Sequence, residues 1–523
     1  MLNFKKRGLL ASAGALVTVT ALALGGSVAA QAATVSEMPS SSGVIITKLE
    51  QPDQPGTPAT GLPQTSDLPT ISGVKFEAFK VPLNEDPLTN EGQKEIAGTT
   101  LEAAKGLTAG VAATRSGVTD AAGQIHWQTA AADDKRDGLD LEAGLWLVRE
   151  TEAPAGVVPA GDFLLAIPLT HPVDGNTWLD TIYVYPKNHT MEGSKTVENL
   201  EEYVVGSTVT WRITIDNPSP RDPATGAYYP ADKLWVQDIL DSEYLSTPSD
   251  GSRMNVVSPA GMTKGADYNV AVDTSGGKSN MTLEFTAQGL EKLSQVPNEK
   301  VEITLQTVIV KAGVIENSAR FSTSESQTSP KEIKPIIMKY GDYALVKVSE
   351  GSPTGTTPSL AGAEFMVFTS EADALAAKAG DQAALDRAAK PAVTVPGYNP
   401  ALGTWTTNDE GRVDISGLRY SGYADGESFG PGDPRYLEYW LVETKALEGH
   451  QLLAEPISFI IDEDSATQTS QTIANQFTRG GFLLPLTGGT GTLLLTIGGI
   501  VLLATVLIIA RRRQNAAAAL AVE

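Results

Sequence analysis

The chain has 523 residues, 39 basic and 62 acidic side chains, a formal net charge of −23, four histidines and no cysteine. So acidic a surface argues against nucleic acid or another polyanion as a partner, and the missing thiols exclude disulfides, thiolate metal sites and cysteine nucleophiles. The four histidines are scattered, so neither metal nor cofactor is expected. The length suggests about three domains, and Gly, Pro and Thr between alternating apolar runs point to all-β modules.

Lys5, Lys6 and Arg7 precede an apolar run over residues 9–28, and Ala30-Gln31-Ala32 is a small-x-small cleavage site, so residues 1–32 read as a secretory signal peptide. A first module is expected over 33–190, with an exposed Pro/Thr/Gly insertion at 51–70. Its segments recur in a third module, expected over 336–480. Ser72-Gly73-Val74-Lys75-Phe76 matches Ala361-Gly362-Ala363-Glu364-Phe365, and the turn Thr119-Asp120-Ala121-Ala122-Gly123 matches Thr407-Asn408-Asp409-Glu410-Gly411. Trp146-Leu147-Val148-Arg149-Glu150 likewise matches Trp440-Leu441-Val442-Glu443. Between them, over 191–335, lies a different β module in which Val209, Trp211, Ile213 and Ile215 alternate cleanly, as do Val301, Ile303 and Leu305.

In the third module, 371–390 has helical spacing and is expected to cap one end of a sandwich. Residues 422–434 read as a long loop. Its Asp425, Glu427 and Asp433 invite a calcium reading, against which a solvated acidic loop is favoured. The chain closes on Leu484-Pro485-Leu486-Thr487-Gly488, an apolar run over 492–510 and Arg511-Arg512-Arg513. Nineteen apolar residues just span a hydrocarbon core, and the arginines hold the cytoplasmic side.

The tail, 484–523, resembles an LPxTG cell-wall sorting signal, in which a sortase cysteine attacks the Thr carbonyl and hands Thr487 to an amine. The recurring blocks resemble CnaB-type immunoglobulin-like domains with their E-box, and the middle module resembles the CnaA type. Trp178-Leu179-Asp180-Thr181-Ile182-Tyr183-Val184-Tyr185-Pro186-Lys187 resembles the pilin motif of sortase-assembled pilus backbone subunits, whose Lys accepts the Thr of the next subunit. The resemblance implies Lys187 as acceptor, with Trp178, Tyr185 and Pro186 as its motif. Strand parity agrees, sending Tyr183, Tyr185 and Lys187 to one face and Ile182, Val184, Pro186 and Asn188 to the other. Alone, Lys187 reads as a solvated lysine at a strand end.

Parity also predicts what replaces disulfides. Lys48 shares a face with Val44 and Ile46, and Lys347 with Tyr343 and Leu345. Asn188 and Asn475 sit on apolar faces at the far ends of the modules, and Glu150 and Glu443 on the E-box strands. An unpaired buried ammonium is costly and its pKa falls. A neutral amine, a carboxamide and a protonated carboxyl are the parts of an intramolecular isopeptide bond. In the middle module Lys195, Asn317 and Asp238 form a third set, as the CnaA likeness implies, with Lys233, Asp241 and Asn217 close by. A buried salt bridge is the plainer reading of each.

The expected architecture is therefore three tandem immunoglobulin-like β-sandwiches between a signal peptide and a transmembrane sorting tail. The expected function is the major subunit of a covalent cell-surface pilus, not an enzyme. The implied partners are a pilus-specific class C sortase, identical subunits, a tip or basal minor pilin, and a housekeeping sortase with peptidoglycan; an adhesion ligand is not indicated. Two other classes compete: a wall-anchored adhesin that does not polymerise, which has no use for Lys187, and a wall-anchored glycoside hydrolase, which needs two facing carboxylates in a cleft.

Overall fold

The computed structural model describes residues 38–52, 59–128, 140–199, 203–222, 225–325, 327–350, 360–465 and 471–476, with positions 503, 505–507 and 511. The expected signal peptide, the sorting motif at 484–488 and most of the apolar tail lie outside the described residues. No helix among those described is long and apolar enough to cross a membrane.

Three β-sandwich cores follow one another along the chain. In the first, strand Ser41–Thr47 runs parallel to Thr181–Val184 on one side and antiparallel to Gln124–Trp127 on the other. The facing sheet is Arg115–Val118, Lys75–Lys80, Gly144–Glu152 and Phe163–Ile167. Val44, Ile46, Phe76, Trp127, Trp146, Val148 and Ile182 fill the space between. The outer side of the second sheet is apolar too, and helices Asn90–Gly98 and Leu101–Leu107 cover Phe79, Leu145 and Leu147 there. Thr89 and Thr100 cap them, their hydroxyls accepting from the N–H groups of Gly92 and Ala103. These two helices were not expected.

The middle core is the largest of the buried apolar clusters among the described residues. Thr208–Ile215 lies between Gly193–Val197 and Val301–Ile309, and every inward residue of its alternating pattern is buried. The opposing sheet is built from Tyr268–Ser275, Lys278–Phe285, Trp235–Asp241 and Gly313–Ser322. It continues into the third unit through one twenty-residue strand, Lys331–Glu350. The first half of that strand pairs with Gly313–Ser322, and the second half pairs antiparallel with Arg412–Arg419 and parallel with Gln471–Gln476. The expected junction at 335/336 falls inside it. Pro335 is tolerated because the ladder shifts register there, between Asn317 and Ala319, so the missing N–H interrupts pairing already broken.

In the third sandwich, Glu364–Phe368 and Tyr439–Lys445 form the facing sheet. Phe365, Val367, Tyr439 and Leu441 point inward. The predicted helical stretch forms Glu371–Lys378 and Gln382–Asp386, but it lies on the outer face of that sheet, against Phe368 and Val442, instead of capping an end. Both terminal sandwiches thus carry a helical pair on the same outer face.

Candidate functional site: an acceptor strand and three lysine sets

Lys48 is fully buried, and its Nζ lies 2.9 Å from Glu150 Oε2. Glu150 Oε1 accepts from Asn188 Nδ2 at 2.6 Å, so one carboxyl bridges amine and carboxamide. Strand Leu49–Glu50 runs parallel to Lys187–Thr190, pairing Leu49 with Lys187 and Glu50 with Asn188. Asn188 therefore stands two ladder positions beyond Lys48. The third unit repeats this offset, because Lys347 pairs with Ile473 and Ser349 with Asn475. Asn475 Nδ2 donates to both oxygens of Glu443, at 2.7 and 3.0 Å, while Lys347 Nζ is 3.5 Å from Oε1 and makes no hydrogen bond. Burial lowers the Lys347 pKa to about 8, and the Glu443 charge offsets part of that fall. Burial also lowers the Lys48 pKa against the opposing pull of Glu150.

The recurring turns fix where these lysines stand. Thr119 Oγ1 accepts from Val74 N–H and donates to Ile71 C=O, both at 2.9 Å; Thr407 does the same between Ala363 and Leu360. Gly123 and Gly411 both take φ 71°, which favours glycine. The Gly123 carbonyl then receives the Lys48 N–H at 2.8 Å and the Gly411 carbonyl the Lys347 N–H at 2.7 Å. That link between turn and lysine was missed, although the turn itself stands out in both copies. The two ladders also pair Phe76 with Glu150 and Phe365 with Glu443, so Trp146 is equivalent to Tyr439. The Trp146–Trp440 match of the sequence is one residue out of register; Trp440 packs on the outer, helix-covered face.

The middle set has another geometry. Lys195 lies in one sheet, Asp238 and Asn317 in the other, so the set spans the sandwich. Lys195 Nζ donates to Asp238 Oδ2 at 2.6 Å and lies 5.1 Å from the Trp211 ring. Burial lowers the lysine pKa and raises that of the aspartate, with Lys195 and Asn317 opposing the latter shift. Asn317 is fully buried, and neither of its amide atoms meets hydrogen-bond geometry. The alternatives beside this set have other partners: Lys233 faces Glu284 and Glu325, Asp241 binds Lys278, and Asn217 donates to the Leu293 and Val296 carbonyls. Six of the fourteen buried polar atoms without a partner among the described residues belong to the three sets. Ordinary polar cores leave few such orphans.

Lys187 is half-buried at the start of its strand, its Nζ 3.4 Å from the Tyr185 carbonyl, and burial lowers its pKa. Its neighbour Asn188 is 1 % exposed. Residues 59–70, the described part of the expected insertion, are mostly exposed and lie along this motif: Tyr183 N–H donates to Gly61 C=O at 2.9 Å, and Gln64 N–H to Tyr185 Oη at 2.7 Å. In the 422–434 loop, Arg435 binds Asp433 and Glu427, while Asp425, at φ 51°, accepts from Val197 N–H of the middle sandwich. These acids serve structure, and no acidic or histidine cluster suited to a metal occurs among the described residues.

The family profile "Gram-positive pilin subunit D1, N-terminal domain" matches residues 43–189. Over 93% of this chain and 92% of the relative, the sequence is 29% identical to the fimbrial subunit type 1 of Actinomyces viscosus. Identity to the fimbrial subunit type 2 of Actinomyces naeslundii is 29%, over 82% of this chain and 80% of that one. The chain is a Gram-positive pilus subunit. In fold, the pilin resembles the full-length major pilin SpaD of Corynebacterium diphtheriae, with a TM-score of 0.55 at 22% identity over 84% of this chain and 98% of that one. The major pilin SpaA of the same organism gives 0.53 at 19%, over 83% and 100%. The pilin is thus a structural surface protein of a Gram-positive bacterium and not an enzyme.

Proposed function

We propose that this pilin is the shaft subunit of a covalent polymer in which Thr487 of one copy is joined to Lys187 of the next. A class C sortase breaks the Thr487–Gly488 bond to form a thioester. The neutral Lys187 amine then attacks the Thr487 carbonyl, an Nζ–C amide forms, and the sortase thiol leaves. A housekeeping sortase transfers the last subunit to peptidoglycan, and a minor pilin occupies the tip or base. The observation that carries this reading is the alternation of Lys187 and Asn188: one turns an amine with a burial-lowered pKa to the partly open face, while the next is locked inside.

Within each subunit, the same reading makes the three sets sites of Lys–Asn condensation. The protonated acid donates to the carboxamide oxygen, the neutral Nζ attacks Cγ, Cγ–Nδ2 breaks, and ammonia carries away the extra protons. The amide nitrogen drawn toward Glu150 and Glu443 exchanges with the oxygen by a flip, which pairs the orphaned Oδ1 atoms. Each bond closes a loop of over a hundred residues, worth on the order of 4 to 5 kcal/mol in the chain-entropy account.

The test is an immunoblot of wall extract boiled in SDS. Lys187→Ala and Lys187→Arg should both abolish the high-mass ladder and leave anchored monomer, since a guanidinium cannot lose its proton to attack. A ladder that survives either change rejects Lys187 as acceptor. A single band from the wild type would favour a non-polymerising adhesin.

A further inference from the structure

Beyond the E-box strand, each terminal sandwich sends a loop back across its asparagine strand, and the two loops make the same contacts in the same order. In the first domain Val158 pairs with His189, the residue after Asn188. In the third, Gln451 N–H donates at 3.0 Å to the carbonyl of Gln476, the residue after Asn475. Two residues further on, the Ala160 N–H reaches Glu150 Oε2 at 3.2 Å, and the Leu453 N–H reaches Glu443 Oε2 at 2.9 Å. The middle acid differs: Asp238 Oδ2 accepts from Lys195, and Oδ1 has no partner in hydrogen-bond geometry among the described residues.

A backbone N–H can only donate, so the oxygen it faces must accept. In both terminal domains that oxygen is Oε2, while the carboxamide lies nearest Oε1, at 2.6 Å in the first domain and 2.7 Å in the third. The proton of the neutral acid is thereby kept on Oε1, pointing at the carboxamide that the condensation has to polarise. A helix on the outer face holds each loop in this place. Lys378, the last residue of Glu371–Lys378, donates from Nζ to the Leu453 carbonyl. Leu453 is therefore bonded on both sides, to the helix through its C=O and to the buried acid through its N–H. In the first domain Lys105 of Leu101–Leu107 lies 3.7 Å from Asp162, two residues past Ala160, and Arg149 shares that carboxylate at 3.2 Å.

We propose that Lys378 is a positioning residue for the third-domain condensation, holding the Leu453 N–H on Glu443 Oε2 so that the acid presents its proton to Asn475. This role rests on the proposed Lys347–Asn475 bond. Lys378 acts through the loop and not on the reacting atoms. Without the tether, Leu453 is free to turn away and the proton to sit on either oxygen, so that part of the population holds it on the side away from the carboxamide. The helical pair then has a task besides covering Phe368 and Val442. The first-domain tether is looser, because Asp162 divides its charge between Lys105 and Arg149.

The test follows bond formation in freshly synthesised full chain, by intact mass and by the yield of the Lys347–Asn475 cross-linked peptide after digestion. Lys378→Met keeps the apolar stem and loses the donor; it should lengthen the half-time of the third-domain bond at least about fivefold, the effect of one hydrogen bond on a rate. Lys378→Arg keeps a donor and should stay within about twofold of the wild type. The first and middle bonds should form at the wild-type rate in both. In Asn475→Ala, where no third-domain bond forms, adding Lys378→Met should lower the melting temperature by no more than about 2 °C, while amide exchange at Leu453 speeds up. A wild-type rate in Lys378→Met overturns the positioning role and leaves the condensation intact. A slowing that Lys378→Arg does not restore, one shared by all three bonds, or a larger melting loss in the Asn475→Ala chain overturns it too, because a loosened fold then explains the effect. A wild-type chain that yields no Lys347–Asn475 peptide overturns the condensation and the positioning role together.

Discussion

The terminal sandwiches and the middle one meet the same demand, a buried lysine beside a carboxamide, in two geometries. In the first and third, lysine and asparagine stand on adjacent parallel strands with a two-residue offset, and the acid reaches across from the facing sheet. In the middle sandwich, lysine belongs to one sheet and both partners to the other, beside the register shift at Asn317. The first kind of bond would tie neighbouring strands together, while the second would tie the two sheets. On the proposed reading, the condensation needs proximity and a dry site, not a particular strand order.

The largest effect should come from the middle set. Asp238→Ala removes the carboxylate that faces a fully buried Lys195, adding an uncompensated charge to the lost loop closure, so the cost should exceed the 4 to 5 kcal/mol or so of closure alone. Once the mass change of the substitution itself is subtracted, intact mass should rise by about 17 Da relative to the bonded parent, the mass of one ammonia. Glu443→Ala and Glu150→Ala should each restore one such unit with a smaller fall in melting temperature, because their lysines, though equally buried, lie further from the acid, at 3.5 and 2.9 Å against 2.6 Å. Three losses of equal size would erase the distinction between the geometries, and a parent with no ammonia deficit would leave buried salt bridges as the better account.

Next comes pH. In Asn475→Ala, where no third-domain bond can form, Lys347 keeps a folded pKa near 8 against an unfolded 10.5. The unfolded chain then binds more protons between those values, so stability should rise with pH across roughly 8 to 10.5, by up to about 3 kcal/mol. A flat profile in chemical denaturation would mean that the Lys347 ammonium is not desolvated. Smaller still, Thr119→Val and Thr407→Val each break one donated and one accepted bond at the turn that holds a lysine. Each should cost about 1 to 3 kcal/mol, and a clear inequality would show that the copies have diverged. Asp425→Ala should have the least effect, about 1 kcal/mol for the lost bond to Val197 N–H. Faster amide exchange at Val197 with unchanged exchange at Lys347 would confirm that this contact joins domains without touching the site.

Much of this was legible because strand parity needs no tertiary knowledge. Lys48, Lys347, Asn188 and Asn475 share faces with aliphatic side chains, and each is buried as that pattern requires. What parity cannot supply is register between distant segments. The two-residue offset, the one-residue slip of Trp440 against Trp146, and the course of residues 59–70 along the acceptor motif all depend on which strands meet. Helices Asn90–Gly98 and Leu101–Leu107 escaped notice because they are short, polar and defined mainly by Thr caps. The expected junction at 335/336 falls within the continuous strand Lys331–Glu350, where a bulge removes the usual objection to proline.

Tandem mass spectrometry of protease-digested, boiled pilus polymer tests the central claim most directly. The account predicts a branched peptide in which the Thr487 carboxyl is amide-linked to the Lys187 side chain, released by loss of everything from Gly488 onward. Thr487 joined to any other lysine, or a high-mass polymer carrying no such branch, would contradict it.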